Sequence, residues 1–364
     1  MNSILLIGNS GIKHHGIDGQ TAKVRLYLKK IKDEGFDVNY VDLEDFKRKP
    51  FSILRKIKIG IIKCDRIILI SAKRGCRFLI PYINKVNKKH KKAFVLPLVG
   101  TSVLHRSIDK LTDKQKEDFI LNRDFDICPI DKHMKKQLEK IDYILPETDL
   151  ITIVFKGYYK LNNVYTLNNF RDVAPIIKKD HKVKGGILKI VFLSRVMREK
   201  GIFDLIDVIN ELNNKYNIHL DIYGQTILDD KERIVFNNSL NDKVKYCGIV
   251  DFKNVIQTIS NYDLFVFPTR FVGEGTPGVI AESFLAGTPI LTSNFPQAKY
   301  LMKDGYDSIS YRMFDKEDLK NKLLSLLSNK DLLFVLRDGA KKSGNRFSYE
   351  FERGLFLKYV CGKE

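Results

Sequence analysis

The sequence predicts an α/β protein made of two Rossmann-like, doubly wound units. Short aliphatic runs alternate with longer amphipathic stretches, the pattern of βαβ units on a parallel sheet. That alternation occupies the first 150 residues and restarts near Leu188. The length of 364 residues suits two domains, at about 150 residues each. Hydrophobic residues at 44% and charged residues at 29% exclude a disordered or collagen-like chain.

In order, Ser3–Gly8 reads as a strand ending at a glycine. Within Thr21–Glu34, Val24, Leu28 and Ile31 fall at helical spacing, and Gly35 ends the helix. Val38–Val41 and Arg66–Ile70 are strands, Phe78–Val86 a helix and Phe94–Leu98 a strand. Lys160–Lys184, rich in Asn and Lys, reads as linker. The second unit opens with the strand Leu188–Leu193 and the helix Ile202–Tyr216. Leu220–Tyr223 and Lys243–Tyr246 are strands closed by Gly224 and Gly248. Val255–Ser260 is helical, Leu264–Phe267 a strand stopped by Pro268, Pro277–Ala286 a helix and Ile290–Thr292 a strand. In the tail, Phe347, Phe351, Phe356 and Tyr359 recur at near-helical spacing. The predicted division is a first domain over 1–165, a linker over 166–186, a second domain over 187–345 and a terminal helix over 346–364.

Several classes are excluded. Cys64, Cys76, Cys128, Cys247 and Cys361 are scattered, odd in number and form no CxxC, which argues against a disulfide scaffold or zinc ribbon. A reduced, cytoplasmic compartment is the expectation. The start, Met1-Asn2-Ser3, carries no basic side chain, and its apolar run stops at Gly8, unlike a signal peptide. No stretch reaches the roughly 18 apolar residues that span a bilayer.

The formal charge is +19, and its placement says more than its size. Residues 1–92 hold 22 basic and 8 acidic residues, a net +14. Residues 46–63 (FKRKPFSILRKIKIGIIK) and 85–92 (KVNKKHKK) concentrate it. Aliphatic and basic residues mixed in this way suit a helix lying on an anionic membrane, peripheral to its inner face. An ordinary amphipathic helix with a solvated basic face fits the same pattern. Nucleic acid is disfavoured, because interleaved aromatics, zinc fingers and RNP-like motifs are missing from the sequence.

Two segments carry candidate chemistry. In LFVFPTRFVGEGTPGVIAESFLAGTPI, a buried strand gives way to a glycine loop and a helix, with Thr276 expected as N-cap and Pro277 as first helical residue. Gly275 and Gly278 permit close approach, so the helix start is an anion site suited to phosphate. Glu274 precedes that helix and Glu282 lies within it, placed to accept from sugar hydroxyls; taken alone they read equally as surface glutamates. In LSRVMREKG, Arg195 follows a strand and Lys200 precedes a helix, a planar fork and a point charge suited to a diphosphate. A solvated Arg-Glu-Lys loop is the plainer alternative.

Residues 188–312 resemble the retaining GT-B glycosyltransferases of family 4 (glycosyl transferases group 1). The resemblance rests on SRVMREKG, the strand–glycine pairs DIYG and KYCG, YDLFVFPTR and above all EGTPGVIAESFLAGTPI, which carries the family's Glu-x7-Glu pattern. One departure is Ser194, where the family commonly has Gly. The resemblance implies a GT-B fold: two Rossmann-like domains facing a cleft, with a C-terminal helix returning to the first. It implies that Arg195 and Lys200 bind the donor diphosphate, that Glu274 contacts the donor sugar and Glu282 the ribose. Backbone at Gly275, Thr276, Pro277 and Gly278 would hold sugar and phosphate, with Gly224 nearby and the loop Gly248–Val250 near the base. In the first domain, the loop Gly16–Thr21, with Gly19, stands where the family has a glycine loop facing the diphosphate. His105, in VGTSVLHR, joins Glu274, Arg195 and Lys200 as a candidate catalytic residue.

The resemblance further implies a hexosyl transfer with retention of configuration, UDP being the commonest donor nucleotide. The acceptor expected is a lipid-linked saccharide in capsule, O-antigen or exopolysaccharide assembly. No cofactor or metal is expected, because Arg195, Lys200 and the helix start can stabilise the departing phosphate. Asp124-Phe125-Asp126 has the metal-binding spacing of the other large transferase fold, and reads better as a loop-to-strand junction. Two alternatives stay open: a basic membrane- or nucleic-acid-binding scaffold with an inactive fold of this type, and a nucleotide-sugar epimerase.

Overall fold

A computed structural model describes residues 3–12, 19–99, 112, 114–115, 118–122, 124, 128, 130–173, 175–176, 187–272 and 274–363. The chain divides into two compact units, Met1–Asn169 with Glu352–Glu364, and Phe170–Phe351. The last residues thus belong with the first unit.

The first unit holds β1 (Ser3–Gly8), α1 (Gly19–Asp33), β2 (Asp37–Asp42), α2 (Pro50–Lys63), β3 (Arg66–Ile70), α3 (Lys73–Asn87) and β4 (Ala93–Pro97). It continues with α4 (Lys132–Leu138), β5 (Tyr143–Leu145) and α5 (Asp149–Tyr159). Its five strands pair in parallel in the order β2-β1-β3-β4-β5. Ile4–Ile7 and Ile67–Ile70 are fully buried, as expected of a sheet covered on both faces. Gly8 lets α1 come down on β1, since a Cβ there would stand 2.6 Å from the Val24 side chain. The tail closes on this unit. Phe356 meets Tyr27 edge-on at 5.2 Å, Tyr359 stacks on Tyr165 at 4.5 Å, and Arg353 grips Glu34 with two bonds of 2.7 and 2.8 Å.

The second unit holds β6 (Leu188–Leu193), α6 (Ile202–Leu212), β7 (Ile218–Tyr223), α7 (Asp230–Ser239), β8 (Val244–Tyr246), α8 (Val255–Ile259) and β9 (Leu264–Phe267). Then come α9 (Gly278–Leu285), β10 (Ile290–Ser293), α10 (Ala298–Leu301), β11 (Ser308–Tyr311), α11 (Lys316–Ser328) and α12 (Lys330–Gly344), while α13 (Tyr349–Leu355) straddles the boundary between the units. Its six parallel strands run β11-β10-β9-β6-β7-β8, the Rossmann order with its reversal between β6 and β9. Alternation divides the core. Ile190, Phe192, Leu264 and Val266 face α6 and α11, while Val191, Phe265 and Phe267 face α8 and α9. Ligands of such sheets bind beyond the carboxyl ends of the strands that flank the reversal. That rule singles out the loops after β6 and β9.

Residues 163–167 are not a loose linker. Asn163 and Tyr165 pair with Ile144, and Leu167 donates to the Pro146 carbonyl, so this stretch lies along β5. Residues 177–186 lie outside the described ones. The helix expected near Phe78 starts five residues earlier, at Lys73, and continues through Pro81.

Candidate active site

Two loops meet at the reversal between β6 and β9. After β6 the chain makes a single turn over Arg198–Lys200 and enters α6 through Gly201. Gly201 has φ +73°, and a Cβ there would fall 1.8 Å from the Pro268 carbonyl. Only glycine lets this loop press onto the end of β9, and that contact sets Lys200 beside the loop bearing Glu274. The Lys200 ammonium donates to Glu274 Oε2 at 2.5 Å, with both side chains at or below 10% exposure. It also lies over the rings of Phe267 and Phe271, at 5.6 and 5.7 Å from their centroids.

Glu274 is held from three sides. Buried Thr269 donates from Oγ1 to the same Oε2 at 3.0 Å, and buried Gln297 donates from Nε2 to the Glu274 carbonyl at 3.1 Å. Thr269 is fixed in turn by Ser293, whose hydroxyl donates to its carbonyl at 2.6 Å. Paired and hydrogen-bonded, the buried charge is tolerable.

Helix α9 starts at Gly278, one residue later than the sequence suggests. Pro277, not Thr276, occupies the N-cap position, and it supplies no side-chain cap. The reason is local. Pro277 has φ −60° and ψ 122°, an extended conformation that delays the first helical residue. The far end behaves as expected, with Gly287 at φ +63° just past the Ala286 cap. Glu282 is 6% exposed and pairs with Arg171, whose Nε lies 2.9 Å from Oε1.

Arg195 stands two residues past β6, exposed and with no ion pair among the described residues. Gly224 sits at φ +138°, where a Cβ would lie 1.7 Å from the Ser194 carbonyl. It therefore lets the loop bearing Arg195 pack against the end of β7. Gly224 also donates to the Gly248 carbonyl at 2.8 Å, which ties β7 to the loop containing Val250. Val250 is half-buried against the core, beside exposed Ile249. Gly275 and Thr276 are half-buried in the turn before α9. Gly19 opens α1 in the first unit, with open space where a Cβ would be. His105 and residues 13–18 lie outside the described residues, as do Phe125 and Asp126 of the Asp-Phe-Asp segment.

Sequence reading did not find Thr269, Gln297 or Arg171. Nor did it find two further polar groups at strand ends. At β7, Tyr262 donates to Asp221 Oδ2 at 2.7 Å and meets Tyr223 at 3.0 Å, and burial raises both phenols. In the first unit, buried Lys23 donates to Glu147 at 2.8 Å and to the Leu98 carbonyl at 2.7 Å. Except for Thr269, five residues before Glu274, each of these contacts joins residues distant in sequence, and no local pattern announces them.

Comparison with known proteins bears on the fold and the family. Residues 173–343 match the family described as glycosyl transferases group 1. An uncharacterized glycosyltransferase of Methanocaldococcus jannaschii, MJ1069, is 25% identical over 215 residues, covering 56% of this chain and 54% of its own. The capsular polysaccharide biosynthesis glycosyltransferase CapM of Staphylococcus aureus is 24% identical over 254 residues, covering 65% and 63%. The chain thus spans between 44% and 63% of the length of the curated relatives it matches first. Among solved structures, Anabaena Alr3699/HepE in complex with UDP aligns over all of both chains with a TM-score of 0.71 at 10% identity. The lipopolysaccharide outer core galactosyltransferase WaaB aligns over 99% of both with a TM-score of 0.66 at 16% identity. The fold is that of the GT-B glycosyltransferases, and residues 173–343 are similar to the glycosyl transferases group 1 family.

Proposed function

We propose that this protein is a retaining hexosyltransferase of family 4. It takes a sugar from a nucleotide-diphosphate donor, UDP first, and passes it to a lipid-linked saccharide during surface polysaccharide assembly. One observation carries the reading. A buried cation from the loop after β6 and a buried carboxylate from the loop after β9 meet at the sheet reversal, 2.5 Å apart. An ammonium has three donors. Glu274 takes one, which leaves Lys200 able to reach a phosphate. Exposed Arg195 supplies a second cation. Together with the start of α9 they offset the charge that develops on the departing diphosphate, without recourse to a metal. Glu274 would accept from donor-sugar hydroxyls and Glu282 from the ribose. The UDP-bound and capsular relatives support the choice of nucleotide and pathway class.

The lipid-linked acceptor draws support from the first unit. Residues 46–63 contain seven Lys or Arg and no acid. On α2, Ile53, Ile57 and Ile61 are buried, whereas Phe51, Ile59 and Ile62 are 86%, 40% and 48% exposed. Arg55, Lys56, Lys58 and Lys63 are exposed among them. Apolar side chains standing outward within a basic field are what an anionic bilayer surface takes up. The second basic stretch, 85–92, adds exposed Lys85, Lys88, Lys89 and Lys91 but no exposed large apolar side chain, so its part is electrostatic. No helix among the described residues is long and apolar enough to cross a membrane.

The test is to incubate the protein with UDP-sugars and saccharide-lipid extracts, following the anomeric protons by NMR. Transfer with retained configuration, lost in Lys200→Met and Glu274→Gln, is expected. Isomerised free sugar nucleotide without an acceptor would favour an epimerase. No turnover and no nucleotide binding would favour an inactive scaffold.

A further inference from the structure

We propose that Arg171 is a positioning residue for the donor nucleotide. It holds one oxygen of Glu282 so that the other faces the ribose hydroxyls. The proposal rests on the reading that Glu282 takes the ribose. Arg171 is itself fixed at the main chain. Its N–H donates to the Phe347 carbonyl at 2.7 Å, and its carbonyl accepts from Tyr349 at 2.9 Å, so it is bridged to the segment that leads into the C-terminal tail. The side chain is 13% exposed and uses its three nitrogens differently. Nε donates to Glu282 Oε1 at 2.9 Å, and NH1 donates to the Phe170 carbonyl at 3.1 Å. NH2 lies against Gly278, where a Cβ would come within 2.0 Å of it.

This places a cation on the first turn of α9, the end of a helix that favours anions. A residue serving α9 alone would be an oxygen-bearing cap. The guanidinium is tolerable there because Glu282 neutralises it. The grip is one-sided, through Nε alone. Among the described residues no group bonds Glu282 Oε2, and that oxygen keeps its lone pairs for a diol. A side chain at Gly278 would displace the guanidinium from this position.

The test measures binding of UDP and of 2′,3′-dideoxy-UDP to wild type, Arg171→Met, Arg171→Lys, Glu282→Gln and the Met/Gln double variant. Arg171→Met should weaken UDP by about tenfold or more, the scale of one hydrogen bond to a charged group. It should leave the dideoxy analogue nearly unchanged, because the lost contact is to the ribose hydroxyls. Arg171→Lys, which keeps the charge but not the fork, should fall between. The double variant should bind UDP no more weakly than the weaker single variant. Equal weakening of both nucleotides by Arg171→Met would mean a merely structural role and overturn the proposal. So would additive losses in the double variant. If Glu282→Gln binds UDP as wild type does, the ribose assignment itself fails; if it weakens UDP while Arg171→Met does not, only the positioning role fails.

Discussion

Replacing Lys200 by Met should destabilise the second unit measurably. The substitution keeps the length of the side chain and removes its charge, leaving Glu274 at 10% exposure with only the Thr269 hydroxyl on its carboxylate. Breaking a buried ion pair from one side costs about 3–5 kcal/mol. Thr269 still donates, so the low end, about 3 kcal/mol, is expected here. For a unit the size of Phe170–Phe351 this lowers the thermal midpoint by about 6–12 °C. Glu274→Gln should cost less, about 1–2 kcal/mol, because the stranded ammonium keeps two aromatic rings, each worth about 0.5–1 kcal/mol. The double variant should recover part of the loss, since neither charge is then left alone. Scanning calorimetry on the four proteins measures all of this. A Lys200→Met midpoint within about 2 °C of wild type would refute the reasoning, because the pair would then be solvated rather than buried.

The first unit supplies two further predictions. Burial holds the Glu352 carboxyl above its ordinary range despite the 2.6 Å bond from Asn168. An acid whose folded pKa is raised binds its proton more tightly when folded, so it weakens the fold above that pKa and does not below the unfolded value. Glu352→Gln should therefore be more stable than wild type near pH 8 in urea titrations, and the advantage should vanish as pH falls through the carboxylate range. An advantage that is constant with pH would contradict the assignment. On α2, the triple variant Phe51→Glu, Ile59→Glu, Ile62→Glu should lose sedimentation with vesicles containing anionic lipid at low salt. Retention equal to wild type would place membrane contact elsewhere.

In the second unit the loops after β6 and β9 were legible in the sequence, whereas the elements beyond β10 were not. Gly275, Pro277 and the Ala286-Gly287 pair punctuate the loop and helix after β9, and Pro277 and Gly287 each have a backbone reason for their place. Gly201 and Gly224 stand in the motifs as well, and the structure shows that close approach to Pro268 and Ser194 demands them. β5 and β11 escaped, although β8, β9 and β10 are equally short; β11 (SISY) alternates serine with larger residues and so shows no aliphatic run. Helix α5 was missed although Thr148 caps it, because Leu150, Ile151, Val154, Phe155, Tyr158 and Tyr159 bury most of its circumference and blur the helical period. The start of α9 shifted by one residue because Pro277 serves equally before or inside a helix. The partners of the site carboxylates were invisible for a different reason. Arg171 is 111 residues from Glu282, and Thr269 and Gln297 resemble any buried polar residue until the loop closes around Glu274.

The donor site is tested most directly by calorimetric titration of wild type and Glu282→Ala with UDP, GDP, ADP and their common sugar conjugates. One nucleotide should bind, and the Ala variant should bind it markedly more weakly while unfolding as a single folded species. Saturation of wild type at 100 times the dissociation constant should also add about 2.7 kcal/mol to its stability. Absence of binding by every nucleotide at millimolar concentration, or equal binding by wild type and Glu282→Ala, would contradict a donor site at the reversal between β6 and β9.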